Sequence, residues 1–241
     1  MSRRVKLTVA YDGTDYCGWQ IQPNGITVEE VLNKKISKLT GENIRIIGAS
    51  RTDSGVHALG NVAVFDTESS IPPERMAYAL NQKLPDDIVI RQSCQVPDDW
   101  HPRYQDHVVK IYEYHICNAP VPNPLKRRYS IHVSFPMDVE AMKKGAAYLI
   151  GEHDFVSFCN IKTNVEDTVR TVYALDIMQE GEDITIRITG NGFLYNMVRI
   201  IAGTLIRVGR GFYEPERVKE ILDEKVRTAA GVTAPPNGLV L

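Results

Sequence analysis

Nine consecutive residues, Ser50-Arg51-Thr52-Asp53-Ser54-Gly55-Val56-His57-Ala58, place a guanidinium, a carboxylate, a glycine and an imidazole in one short segment. An aspartate can attack as a nucleophile or remove a proton as a general base. The same letters also spell a turn, because Asp and Ser bond to nearby backbone and Gly55 tolerates a positive φ. Taken alone, the segment leaves both readings open. A second group, Lys110, Tyr112 and Tyr114, recurs at every second position and so projects from one face of a strand. Such tyrosines pack a sheet well, and they also offer an aromatic platform to an unstacked base. A third candidate is Arg199, which sits beside Ile200, Ile201 and Leu205 instead of in a polar run. It is either a surface charge or a guanidinium on an apolar face, and the latter needs a partner. His57 is a general base by type, but a lone histidine is read here as part of the loop's architecture.

Other chemistries find less support. The histidines are scattered, with no clustered His/Asp/Glu ligands, so a metal-dependent hydrolase is disfavoured and no metal is expected. The segment from Gly203 to Gly211 contains a Gly-x-Gly fragment but does not open a βαβ unit, which rejects a dinucleotide site. Cys17, Cys94, Cys117 and Cys159 form no Cys-x-x-Cys pair and are expected to be free and reduced.

The elements that must position these residues follow from hydrophobic period. Val5 to Tyr11 alternates as a half-buried strand. After the turn Asp12-Gly13-Thr14-Asp15 and a loop through Gly18-Trp19-Gln20, Thr27 and Glu30 spell a capping box. The helix it starts carries Val28, Val31, Leu32, Ile36 and Leu39 on one face and ends at Gly41. Strands are predicted over Ile44 to Ile47, Asn61 to Asp66 and Ile88 to Val96, with a helix near Glu74 to Lys83. That order, strand-helix-strand-strand-helix-strand, matches a split βαβ, ferredoxin-like arrangement. Beyond Pro97 to Pro102 the pattern predicts a strand over Val108 to Cys117, a helix over Asp138 to Leu149 and a hairpin of Arg170 to Met178 with Ile184 to Thr189. Helices over Phe193 to Val208 and Pro215 to Val226, then a short terminal strand, complete it. The expected class is α+β: two ferredoxin-like or RRM-like halves with antiparallel sheets around a central cleft. Residues 1–102 would carry the Asp53 loop, and residues 103–241 the tyrosine strand and the Arg199 helix.

At 241 residues and 43% hydrophobic, the chain can bury two modest cores. A formal net charge of −2 does not suit a uniformly basic nucleic-acid binder. The distribution is polarised, however. From Gly192 to Tyr213 there are three arginines, Arg199, Arg207 and Arg210, and no acid, while Lys126-Arg127-Arg128 forms a second basic cluster. Asp66 to Asp99 is acidic. One basic face can bind RNA despite a negative total. Met1 to Tyr11 lacks a signal peptide's apolar core, and no stretch of ~18 apolar residues occurs, so a soluble cytoplasmic protein without a membrane span is expected.

The nine-residue segment resembles the signature of the tRNA pseudouridine synthase A family, usually Gly-Arg-Thr-Asp-x-Gly-Val-His-Ala, with Ser50 where that family more often has glycine. Four further segments resemble the family's motifs in the same order. They are Tyr11-Asp12-Gly13-Thr14 with Gly18-Trp19-Gln20, Lys110 to Tyr114, Gly192 to Arg199, and Thr233-Ala234-Pro235-Pro236-Asn237-Gly238-Leu239. The resemblance spans nearly the whole chain. It implies an isomerase that converts uridine to pseudouridine at positions 38, 39 and 40 of the tRNA anticodon arm, without cofactor, as a homodimer. It further implies Asp53 as the catalytic carboxylate, with Arg199 as the cation that keeps it ionised and aimed. Tyr112, more than Tyr114, becomes the platform for the target base. Arg51 becomes a phosphate contact or fills the space left by a flipped nucleotide, and Leu239 packs the uracil pocket. The competing function is a non-catalytic RNA binder with RRM-like domains. It would require an aromatic RNP1 pattern that the sequence lacks, and it has no use for an Asp53–Arg199 combination.

Overall fold

Val5, Leu7, Val9 and Tyr11 alternate with less buried neighbours along β1 (Arg3–Tyr11), and all four are buried. This is the period of two that a strand with one covered face requires. The structure, a computed structural model, describes residues 2–104, 108–160 and 167–241. They divide into two units, Met1–Val108 with Leu241, and Val109–Val240. Both are α+β with largely antiparallel sheets.

In the first unit β1 leads to α1 (Val28–Thr40), whose buried face is Val28, Leu32 and Ile36. Each such side chain contributes on the order of 2 kcal/mol by leaving water. Thr27 caps α1 by accepting from the Glu30 N–H at 3.3 Å, and Gly41 closes it in the left-handed region, φ 76°. β2 (Ile47–Gly48), β3 (Ala58–Thr67), α2 (Met76–Asn81) and β4 (Ile88–Val96) follow. The sheet order is β2-β3-β1-β4, with β1 antiparallel to both β3 and β4.

Two elements are shorter than their sequence predicts. The strand expected from Ile44 pairs only at Ile47–Gly48, because side chains of α1 take the earlier N–H groups. Ile44 donates to Ser37 Oγ at 2.9 Å and Ile46 to Asn33 Oδ1 at 2.8 Å. The helix expected over Glu74 to Lys83 opens as a 3-10 turn at Pro73–Arg75 and stops at Asn81. There the Asn81 side chain clamps both backbone groups of Ile90, at 2.8 and 2.9 Å.

The second unit runs β5 (Lys110–Asn118), β6 (Ile131–Val133), α3 (Val139–Ala147), β7 (Gly151–Asp154), β8 (Val169–Glu180), β9 (Asp183–Gly190), α4 (Met197–Gly209), α5 (Arg217–Glu224) and β10 (Leu239–Val240). Its sheet is ordered β10-β5-β9-β8-β7, and the short β6 joins β5 in parallel. The hairpin of β8 and β9 turns at Gly181, φ 60°, where the sequence places it. α4 begins four residues later than the hydrophobic period suggests. Asn196 adopts φ 61°, a left-handed conformation that cannot continue a helix, so Phe193 and Leu194 are irregular and Tyr195 and Asn196 form a turn ahead of it.

Thr27→Ala removes the α1 cap from a wholly buried position and is expected to cost ~1 kcal/mol of unfolding free energy. Urea denaturation monitored on the far-UV helix signal measures it, and an unchanged midpoint would show that the cap contributes nothing.

Candidate functional site

The loop carrying Asp53 leaves β2 and enters β3, and it is pinned at alternate residues. Asn61, wholly buried on β3, accepts from the Ser50 N–H at 3.2 Å and donates to the Ser50 carbonyl at 3.0 Å. The Tyr11 hydroxyl and Thr52 Oγ1 lie 2.7 Å apart, both buried. The Thr52 carbonyl accepts from the Trp19 N–H at 3.1 Å. Trp19 is itself 1% exposed and packs on Tyr11, with ring centroids 5.8 Å apart. Asp53, Ser54, Gly55 and Val56 form a turn closed by Val56 N–H to the Asp53 carbonyl at 3.1 Å, with Gly55 at φ 77°. The segment does form the turn that its residue types spell. His57 is buried, and its Nδ1 accepts from the Gly13 N–H at 3.0 Å and lies 3.1 Å from Asp12 Oδ1. It belongs to the packing beneath the loop. The flanking geometry leaves Arg51 exposed and Asp53 half-buried. Tyr16, whose carbonyl accepts from Gly55 N–H, donates its hydroxyl to Asp87 at 2.7 Å. Burial first, and then that carboxylate, push its phenol well above the ordinary range, so it stays protonated.

In the second unit Tyr112, Arg199 and Leu239 gather around Tyr114. Tyr112 and Tyr114 share the buried face of β5, and β10 places Leu239 opposite Tyr114 on that face. Tyr112 meets Phe193 edge to face, with centroids 5.3 Å apart. Tyr114 donates to the Pro235 carbonyl at 2.8 Å. Its phenol is held protonated by burial, against a smaller opposite pull from the Arg199 guanidinium. Arg199, half-buried on the first turn of α4, donates from Nε to the Ala234 carbonyl at 2.7 Å and from Nη1 to Asn196 Oδ1 at 3.1 Å. The Ala234 N–H returns a bond to the Arg199 carbonyl at 3.1 Å. Residues 231–238 are thus strapped to α4. The strap needs Gly203, because a Cβ there would lie 1.9 Å from the Val232 carbonyl oxygen.

Arg207 and Arg210 stack their guanidinium groups on aromatic rings, Arg207 on Tyr213 at 5.4 Å and Arg210 on Phe135 and Phe212 at 4.8 and 4.9 Å. Lys126 is ion-paired to Asp183, with Nζ 2.6 Å from Oδ2. No group of three or more His, Cys, Asp or Glu side chains that could hold a metal occurs among the described residues. No described helix is long and apolar enough to cross a membrane. Sequence reasoning missed Asn61, Phe193 and Asn196. A polar asparagine inside an apolar strand was a readable signal for Asn61, whereas nothing local marks Asn196 as left-handed.

Comparison with known proteins bears on both halves. A family model described as tRNA pseudouridine synthase matches residues 7–105 and 146–241. A tRNA pseudouridine synthase A of Brevibacillus brevis is 49% identical over 239 residues, covering 99% of this chain and 98% of the relative. The enzyme of the same name from Thermoanaerobacter sp. is 52% identical over the same shares. Among solved structures, a Cbf5-Nop10-Gar1 complex is similar at 14% identity and TM-score 0.38, over 84% of this chain and 45% of that one.

The buried hydroxyl pair gives a direct test of what holds the loop. Tyr11→Phe strips Thr52 of its partner and is expected to lower unfolding free energy by ~1–3 kcal/mol, read by urea titration. A variant as stable as the parent would assign the loop's position to its backbone bonds alone.

Proposed function

The chain belongs to the tRNA pseudouridine synthase A family, isomerases that convert uridine in tRNA to pseudouridine, and on that premise we propose that Asp53 is its catalytic carboxylate and uridines 38, 39 and 40 of the anticodon arm its targets. The reaction breaks the N1–C1′ glycosidic bond and makes a C5–C1′ bond. The C5 proton is released and N1 is protonated, so there is no net oxidation and no demand for a redox cofactor. What the protein must supply is an ionised carboxylate beside the ribose or base, and a pocket that keeps the detached uracil while it rotates. The observation that carries the reading is the Asp53 turn, pinned through Ser50, Thr52 and Gly55, with Asp53 half-buried at its first position.

The other residues take roles consistent with their surroundings. Arg199 favours the ionised form of Asp53 and aims it. Tyr112, stiffened by Phe193, is the aromatic surface for the base, and Leu239 packs the uracil from β10. Arg51, exposed beside Asp53, contacts a phosphate or occupies the space of a flipped nucleotide. Homodimerisation and a cytoplasmic setting belong to the same proposal and rest on the family. So does the reading of both units as ferredoxin-like halves, which the β2-β3-β1-β4 order of the first unit supports.

Asp53→Asn is expected to abolish tritium release from C5-labelled tRNA while tRNA affinity holds. Turnover comparable to the parent would remove Asp53 from the chemistry. Arg199→Ala is expected to slow single turnover far more than it weakens binding. Without the cation the carboxylate ionises only at higher pH, so the acid limb of the rate profile should move upward. A loss confined to tRNA affinity would make Arg199 a phosphate contact.

A further inference from the structure

Asparagine before the first turn of a helix ordinarily caps it, in extended backbone, with its side-chain oxygen accepting a first-turn N–H. Asn196 occupies that place on α4 and does neither. Its backbone is left-handed, φ 61° and ψ 6°, and its side chain makes no capping bond. Of the described residues other than glycine, it and Lys225 alone have positive φ. The side chain turns instead along the helix, and its Oδ1 accepts from Arg199 Nη1 at 3.1 Å. A favourable cap is forgone and an unfavourable backbone region is occupied, and what is gained is a fixed guanidinium.

We infer that Asn196 is a positioning residue: together with the Ala234 carbonyl, it sets the direction in which Arg199 points during catalysis. Two supports act on different nitrogens of one planar group, Nε toward Ala234 at 2.7 Å and Nη1 toward Asn196 at 3.1 Å. One hydrogen bond leaves a guanidinium free to swing about the bond, whereas two at separate nitrogens define its plane. Both acceptors are neutral, so they orient the cation without cancelling its charge. The left-handed backbone is what brings an asparagine three residues earlier in the chain onto the same side as Arg199. An extended N-cap would send its side chain to the helix N–H groups instead. The inference rests on the proposed role of Arg199 and is tested separately from it.

The experiment is a double-mutant cycle on full-length protein with unmodified tRNA, reading single-turnover rate at saturating enzyme and, separately, tRNA affinity. Asn196→Gly keeps the positive φ at no steric cost and deletes only the side chain. It is expected to slow single turnover about tenfold, the effect of losing one hydrogen bond to a charged group, with affinity unchanged within about twofold. In an Arg199→Ala background the same change should add nothing, because the group it positions is gone. A parent-like rate for Asn196→Gly overturns the inference. So does an equal slowing in both backgrounds, which would mark Asn196 as a purely structural residue. If Arg199→Ala itself keeps the parental rate, the reading of Arg199 falls instead. Should the glycine variant not fold, Asn196→Asp, which also tolerates left-handed backbone, replaces it. Identical effects of that change with and without Arg199 overturn the inference equally.

Discussion

The loop that carries Asp53 is tied to the first sheet by a buried contact between two hydroxyls, Tyr11 and Thr52, 2.7 Å apart. Tyr11 ends β1, a central strand paired with β3 on one side and β4 on the other. Thr52 turns its side chain inward to meet it. In an extended segment successive side chains alternate, so an inward Thr52 sends Arg51 and Asp53 outward. The observed exposures follow that rule: Thr52 is buried, Arg51 exposed and Asp53 half-buried. The backbone on either side is held independently, Ser50 by Asn61 and the Thr52 carbonyl by Trp19. A loop without regular secondary structure is thereby held at several points. Such constraint suits the catalytic role proposed for Asp53, because small displacements of a reacting atom cost orders of magnitude in rate.

The sequence was most readable where a local rule decides the outcome. β1 follows from alternation, and α1 from Thr27, whose side chain caps one end, and Gly41, whose left-handed φ closes the other; the Glu30 side chain of the expected capping box pairs with Lys34 instead. The β8–β9 hairpin follows from Gly181. It was least readable where a side chain elsewhere claims a backbone group. Asn33 and Ser37 take the N–H groups that would have lengthened β2, and Asn81 stops α2 by bonding to Ile90. These are tertiary contacts, invisible to a window moving along the chain. The brief β6 and β7 escaped notice for a related reason: at three and four residues they are too short to show a period. For the site, residue type and order named the candidates through the family resemblance. They could not show how each candidate is held.

Arg199 shows what was missing. Its place on an apolar helix face implied a partner, and within its own unit the structure supplies two, the Ala234 carbonyl and Asn196. Neither could be inferred from charge, because neither is charged. Had a carboxylate of α4 or the strap held the guanidinium, the ion pair would have been self-contained and its field at any other group much reduced. A carbonyl and an amide impose direction at less cost to that field. Neutral acceptors therefore suit the role proposed for Arg199, in which its charge acts on a second group.

Keeping a carbonyl within 2.7 Å of Arg199 Nε places demands well away from the arginine. Ala234 belongs to a strap whose other end must pass close over α4, and it does so only because Gly203 presents no side chain to the Val232 carbonyl. Gly231 donates to Thr204 Oγ1 at 2.9 Å and so anchors the strap's start, while Tyr114 holds the Pro235 carbonyl from the sheet below. A methyl group at Gly203 would push the strap outward and carry the Ala234 oxygen with it. The arginine would then lose the more strongly held of its two neutral supports without any change in its own sequence neighbourhood. The orientation of one cation is in this way distributed over a helix, a strand and a terminal strap. The Gly192 to Arg199 and Thr233 to Leu239 segments, far apart in the chain, are best understood as two parts of one support.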